Sequence, residues 1–96
     1  MAKERVIFRL EWDDYRKEKT ILACFPDTKA KLGWIAAVPF YFAHNMTFFE
    51  GLVEIRDDYY YRCTKPIDDL ELISKCLMAL ETYYDHEIEF KAVRRR

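Results

Sequence analysis

Residues 68–84 read DDLELISKCLMALETYY, and this stretch decides the fold. Leu70, Ile73, Leu77 and Leu80 recur at spacings of three and four, and Cys76 and Tyr84 widen the stripe. That is the period of one buried face of an α-helix. Pro66 keeps a preceding strand from running into it. Asp68-x-x-Glu71 has capping-box-like spacing, so the helix is expected to start at Asp68, whose carboxylate accepts from the N–H groups of the first turn. Asp69 and Glu71 also suit the positive end of the helix dipole. The stripe runs out near Tyr83. A helix with one wide apolar stripe needs a surface to lie on, and the rest of the chain reads as strands.

Upstream, Val6, Phe8, Leu10 and Trp12 alternate with Ile7, Arg9 and Glu11, the period of a half-buried strand. Asp13 to Lys19 is polar and reads as a turn. Thr20 to Phe25 is apolar on both faces and so belongs in the middle of the sheet. Pro26-Asp27 ends it. After a connection at Lys29 to Gly33, Trp34 to Val38 is a third strand, with Pro39 marking its end, a bulge or an edge. From 41 to 56 the pattern is ambiguous. Thr47-x-x-Glu50 has the spacing of a capping box, but Gly51 and the apolar Leu52, Val53 and Ile55 weigh toward a strand or irregular structure. Asp57-Asp58 reads as a turn and the β-favouring run Tyr59 to Thr64 as a strand. Downstream, Asp85-His86 turns into Glu87 to Val93, a last strand with one solvated face. The expected fold is α+β: a mainly antiparallel sheet of four or five strands with one long helix on one face, in the order β-β-β-(β)-β-α-β.

Ninety-six residues, half of them hydrophobic and a third charged, suit a single globular domain spanning 1–96. The longest apolar stretch, Trp34 to Ala43, is half the length of a membrane helix, and no signal-peptide pattern opens the chain. The expected location is the cytoplasm, with no membrane partner. Three cysteines without close spacing (Cys24, Cys63 and Cys76) argue against a disulfide framework or a CxxC site and for buried, inert thiols. Between Glu50 and Glu89 stand eleven acidic and four basic residues, while the chain closes on Lys91 and Arg94-Arg95-Arg96. A net charge of −1 does not suit a whole-domain nucleic-acid binder.

Three short segments carry a resemblance: Arg5-Val6-Ile7-Phe8-Arg9, Ala23-Cys24-Phe25-Pro26, and Arg62-Cys63-Thr64-Lys65-Pro66 before the acid-capped helix, with the basic Phe90 to Arg96 closing the chain. In this layout the chain resembles a family of short, functionally uncharacterised proteins encoded in bacterial genomes, phages and other mobile elements. The resemblance covers about half the chain and implies the fold, together with an accessory or anti-defence role exercised through protein binding. Family members carry a Gly- and His-containing stretch where this chain reads His44-Asn45-Met46-Thr47-Phe48-Phe49 and then continues with extra residues.

No catalytic constellation emerges. His44 and His86 have no companion ligands at metal spacing, so no metal is expected. The acidic pairs Asp13-Asp14, Asp57-Asp58 and Asp68-Asp69 fall where turns and helix caps favour Asp. Two glycines leave no room for a phosphate loop or a dinucleotide fingerprint, and no cofactor is implied. The aromatic runs are more telling. Successive strand residues point to opposite faces, so one helix cannot cover them all, and an aromatic surface should remain on the far face. The expected interface is Trp34, Tyr41, Phe48, Phe49 and Tyr60, serving a homo-oligomer first and another protein second. An alternative of a different class is a basic edge of Arg5, Arg9, Arg94, Arg95 and Arg96. If the first and last strands are neighbours, it would bind a nucleotide or nucleic acid beside tyrosine rings. It ranks below the protein interface, and an enzyme ranks third.

Overall fold

The computed structural model describes residues 3–11 and 20–95, which form an α+β fold. The elements are β1 (Glu4–Glu11), β2 (Thr20–Phe25), β3 (Trp34–Ala43), β4 (Met46–Phe49), β5 (Val53–Arg56), α1 (Asp57–Arg62), β6 (Thr64–Pro66), α2 (Leu70–Tyr83) and β7 (Phe90–Ala92). One sheet runs β4-β3-β2-β1-β6; β5 also pairs with β3, and β7 with β1. It is mixed, because β7 lies parallel to β1 while the other pairings are antiparallel. Trp12, the turn expected at Asp13 to Lys19, and Arg96 fall outside the described residues.

The six residues of β2 are all buried, as their two-sided apolar pattern requires. Two apolar clusters lie on opposite faces of the sheet. Val6, Phe8, Ile21, Ala23, Val38 and Phe40 meet Cys76 and Leu80 of α2, with Ile73 and Leu77 packed against them. Ile7, Leu22, Cys24, Ile35 and Ala37 meet Tyr60 of α1 on the other face. The long helix therefore sits where its stripe predicts, but Leu70 is exposed and outside the core. Its N-cap is Asp69, which accepts from the N–H groups of Glu71 and Leu72 at 3.0 and 3.3 Å. The expected cap, Asp68, instead pairs with Arg94.

Two further expectations are corrected. Asp57 to Arg62 is a helix and not a turn followed by a strand. The intrinsic β-preference of Tyr59, Tyr60 and Tyr61 loses to tertiary packing, because as a helix the segment buries Tyr60 against a sheet face that would otherwise stay wet. Asp57 and Asp58 stand in its first turn and Arg62 in its last, matching the dipole. Secondly, β3 runs through Pro39 to Ala43. Residues 50–52 stand opposite the two residues Val38 and Pro39 between the flanking pairs Phe40↔Phe49 and Ala37↔Val53. That extra residue is a β-bulge, with Gly51 at φ +88°. The Pro39 carbonyl faces it and accepts from the Glu50 N–H at 2.9 Å. The donor that proline lacks thus falls at the bulge and costs no regular ladder bond.

The hairpin from β3 to β4 closes on His44 and Asn45, both in the left-handed region (φ 52° and 62°), the signature of a type I′ turn. Residues 46–49 and 53–56 are strands, so the Thr47-x-x-Glu50 spacing starts no helix. The final strand is only three residues long, although the Val93 N–H still bonds the Val6 carbonyl.

Candidate functional site

The sequence-expected aromatic residues do not form one surface. Tyr60 is only 2% exposed and points from α1 into the sheet, which corrects its assignment to an open face. Phe49 points to the α2 side, where its ring stacks on Tyr83 at 4.2 Å and on Phe40 at 5.1 Å. Trp34 begins β3, seven residues and about 23 Å of strand from Tyr41, with the Lys31 ammonium 5.4 Å from its ring. Tyr41 and Phe48 do belong together. They are cross-strand partners with stacked rings 5.1 Å apart.

Register places the neighbours of that pair. Tyr41 shares its face of β3 with Ala37, Pro39 and Ala43, whose partners include Val53 and Met46. Val53, Phe48 and Met46 therefore line the same face as the Tyr60 cluster, but at its far end. Leu52 sits in the bulge between them. Met46, Phe48, Leu52 and Val53 are 37–62% exposed. The short α1 reaches the Ile35 and Ile55 end of this face and leaves the β4 end open. Among the described residues β4 and β5 pair only with β3, so this strip also borders a sheet edge.

The basic residues are divided as well. Arg5 forms a two-pronged pair with Asp27 at 2.7 and 2.9 Å. Their hydrogen bonds hold the Asp27 carboxyl below its ordinary range and raise the Arg5 guanidinium. Arg9, the second member of the expected basic edge, is only 8% exposed, because α1 and β6 close over it. Its Nε donates to Thr64 Oγ1 at 2.6 Å and its Nη2 to the Thr64 carbonyl at 2.9 Å. The Thr64 hydroxyl in turn donates to the Tyr60 carbonyl. The guanidinium carbon lies 4.2 Å from the centre of the Tyr60 ring. Burial raises the Tyr60 phenol, and the Arg9 charge partly offsets that rise.

The first and last strands are neighbours, with Arg5 opposite Lys91. The chain after β7 brings Arg94 and Arg95 to Arg9, and these three arginines with Tyr60, Tyr61 and Pro66 line an open pocket of about 690 Å³. The structure thus joins three members of the expected basic edge and separates off Arg5. Tyr61 was not among the sequence-expected site residues. It is 63% exposed at the pocket rim, its ring edge-on to Tyr60 at 4.9 Å. Only its place on a helix, which turns Tyr60 inward and Tyr61 outward, reveals it.

The remaining candidates take structural positions. His44 and His86 occupy turns with positive φ. Among the described residues no three His, Cys, Asp or Glu side chains are grouped to hold a metal ion. Cys24 and Cys76 are buried and Cys63 partly so, and burial pushes the Cys76 thiol up to about 12. Among the described residues no helix is long and apolar enough to cross a membrane. Compared with protein-family models, with curated proteins and with solved structures, the chain matches none.

Proposed function

We propose that this chain is a non-enzymatic interaction module that pairs with a second copy of itself through the open end of the α1-side sheet face. The observation that carries this reading is the exposed strip of Met46, Phe48, Leu52 and Val53 beside Tyr41. Four large apolar side chains gathered on one edge keep a hydrophobic driving force in hand that scattered ones do not. The strip borders an edge strand, and an edge offers unpaired N–H and C=O groups that a two-fold copy matches in antiparallel register. One patch then serves both partners, as an isologous interface requires. The likeness to short mobile-element proteins extends this proposal to an accessory role exercised through protein contact.

Sedimentation equilibrium tests it. The expected result is a dimer at micromolar concentration that becomes monomeric in the double variant Phe48→Asp with Val53→Asp. Buried in a dimer, two carboxylates per chain cost several kcal/mol, more than the association free energy of about 8 kcal/mol tolerates without dissociating at these concentrations. Tyr61→Ser lies outside the strip and should leave the dimer intact. A native chain that stays monomeric up to about 100 μM, or a dimer indifferent to the double variant, would overturn the proposal.

A further inference from the structure

The structure assigns a second, independent site: we propose that the pocket between α1, the β1–β6 edge and the segment after β7 binds a nucleoside phosphate. Its phosphates would lie against Arg9, Arg94 and Arg95, with its base on the Tyr61 ring. Three observations converge on this ligand. The first is charge. A guanidinium nearly removed from water is costly without an opposite charge, and among the described residues no carboxylate pairs with Arg9. Its partners are a hydroxyl, a carbonyl and a ring. The two Thr64 contacts use Nε and Nη2, the Tyr60 hydroxyl adds a further hydrogen bond, and together they fix the plane of the fork where it lines the pocket. Preorganised guanidinium donors suit phosphate oxygens better than a mobile ammonium does.

The second observation is convergence. Arg94 and Arg95 reach the same pocket from a different element, placed there by the parallel β1–β7 pairing and by the Val93 N–H bond to Val6. Of the two, Arg94 is pledged in part to Asp68 on the surface. A net positive pocket on a chain of net charge −1 is a local feature and not a consequence of overall basicity. The third is shape. The pocket's 690 Å³ falls within the roughly 300–1,000 Å³ usual for small-molecule sites. An exposed Tyr61 ring at the rim offers the apolar plane on which a base stacks. An inorganic anion would use the arginines and leave the ring idle, whereas a nucleotide uses both.

Titration of the full chain with ADP, followed by calorimetry and by tyrosine fluorescence, tests this. ADP should saturate one site per chain. Pyrophosphate should bind the same site at least about threefold more weakly, because it forgoes the stacking. Arg95→Ser should weaken ADP about tenfold and pyrophosphate similarly, while Tyr61→Ser should weaken ADP and leave pyrophosphate unchanged. Both side chains are on the surface, so these variants keep the fold. Arg9→Lys should abolish binding where it folds, and the two surface variants decide the matter where it does not. No ADP binding up to about 1 mM overturns the proposal. So does binding that ignores both surface variants. So does a clear preference for a short single-stranded oligothymidylate with ADP silent, which would make the pocket part of a nucleic-acid track. Phe48→Asp with Val53→Asp should not alter ADP binding, which separates the fate of this site from that of the dimer.

Discussion

Replacing Thr64 with valine tests how the second sheet face is sealed. The two side chains are nearly the same size, so the change leaves the packing volume and removes the hydroxyl. That hydroxyl accepts from buried Arg9 Nε at 2.6 Å and donates to the Tyr60 carbonyl. A hydrogen bond to a charged group contributes about 1.5–3 kcal/mol and a neutral one about 0.5–1.5 kcal/mol. The loss of both, with Nε left buried and unsatisfied, gives an expected cost of about 2–4 kcal/mol. For a chain of this size the urea m-value is about 1.5 kcal/mol per molar, so the unfolding midpoint should fall by roughly 1.5–2.5 M. Thr64→Ser keeps the hydroxyl and should lose only about 1 kcal/mol, for its methyl group. Arg9→Met combined with Thr64→Val should be no worse than Thr64→Val alone, because it removes the buried charged Nε that Thr64→Val leaves unsatisfied, and the coupling should exceed about 1 kcal/mol. A Thr64→Val loss under about 0.5 kcal/mol, or additive single and double variants, would refute the view that the Arg9–Thr64–Tyr60 chain of contacts fixes α1 and β6.

Asp69→Ala should destabilise the chain by about 1 kcal/mol as the cap of α2, whereas Asp68→Ala should cost under about 0.5 kcal/mol, since its ion pair with Arg94 is exposed; chemical denaturation separates the two. Thiol labelling under native conditions at pH 8 should modify Cys63 promptly and reach Cys24 and Cys76 only after urea is added. Burial raises the folded-state pKa of Cys76 from 9.0 to about 12, so the native state disfavours the thiolate. Cys76 contributes no pH dependence to stability below pH 9 and should lower stability as pH climbs from about 9 towards 12, a slope that Cys76→Ala should reduce in alkaline denaturation.

Much of the framework was legible because it depends on near neighbours in the chain. The period of three and four in Ile73, Cys76, Leu77 and Leu80 made α2, and the two-sided apolar run from Thr20 to Phe25 made a central strand. Pro39 was legible as a bulge marker but not as a residue inside a longer strand. Its missing donor had to be matched with Gly51, a residue twelve positions on. His44-Asn45 lacks the Gly that usually announces a two-residue hairpin, so the pairing of β3 with β4 was hidden. The Tyr59–Thr64 reading failed for a different reason. Local preference for strand is worth at most about 1 kcal/mol per residue, and covering an exposed sheet face outweighs it.

The candidate sites divide along the same line. Sequence alone determined that the chain holds more aromatic residues than one helix can cover, and that its basic residues gather at the two ends. Which aromatic stays exposed was decided by the tertiary structure. A helix turns Tyr60 to the core and Tyr61 to water, and the β3–β4 register puts Phe48 outside and Phe49 inside. Whether the basic ends form one site was decided by the parallel β1–β7 pairing, which delivers Arg94 and Arg95 to Arg9 and leaves Arg5 to Asp27. A sequence fixes which side chains are present and their local period; only the folded sheet brings together groups more than eighty residues apart, because burial is shared between elements and belongs to none of them alone.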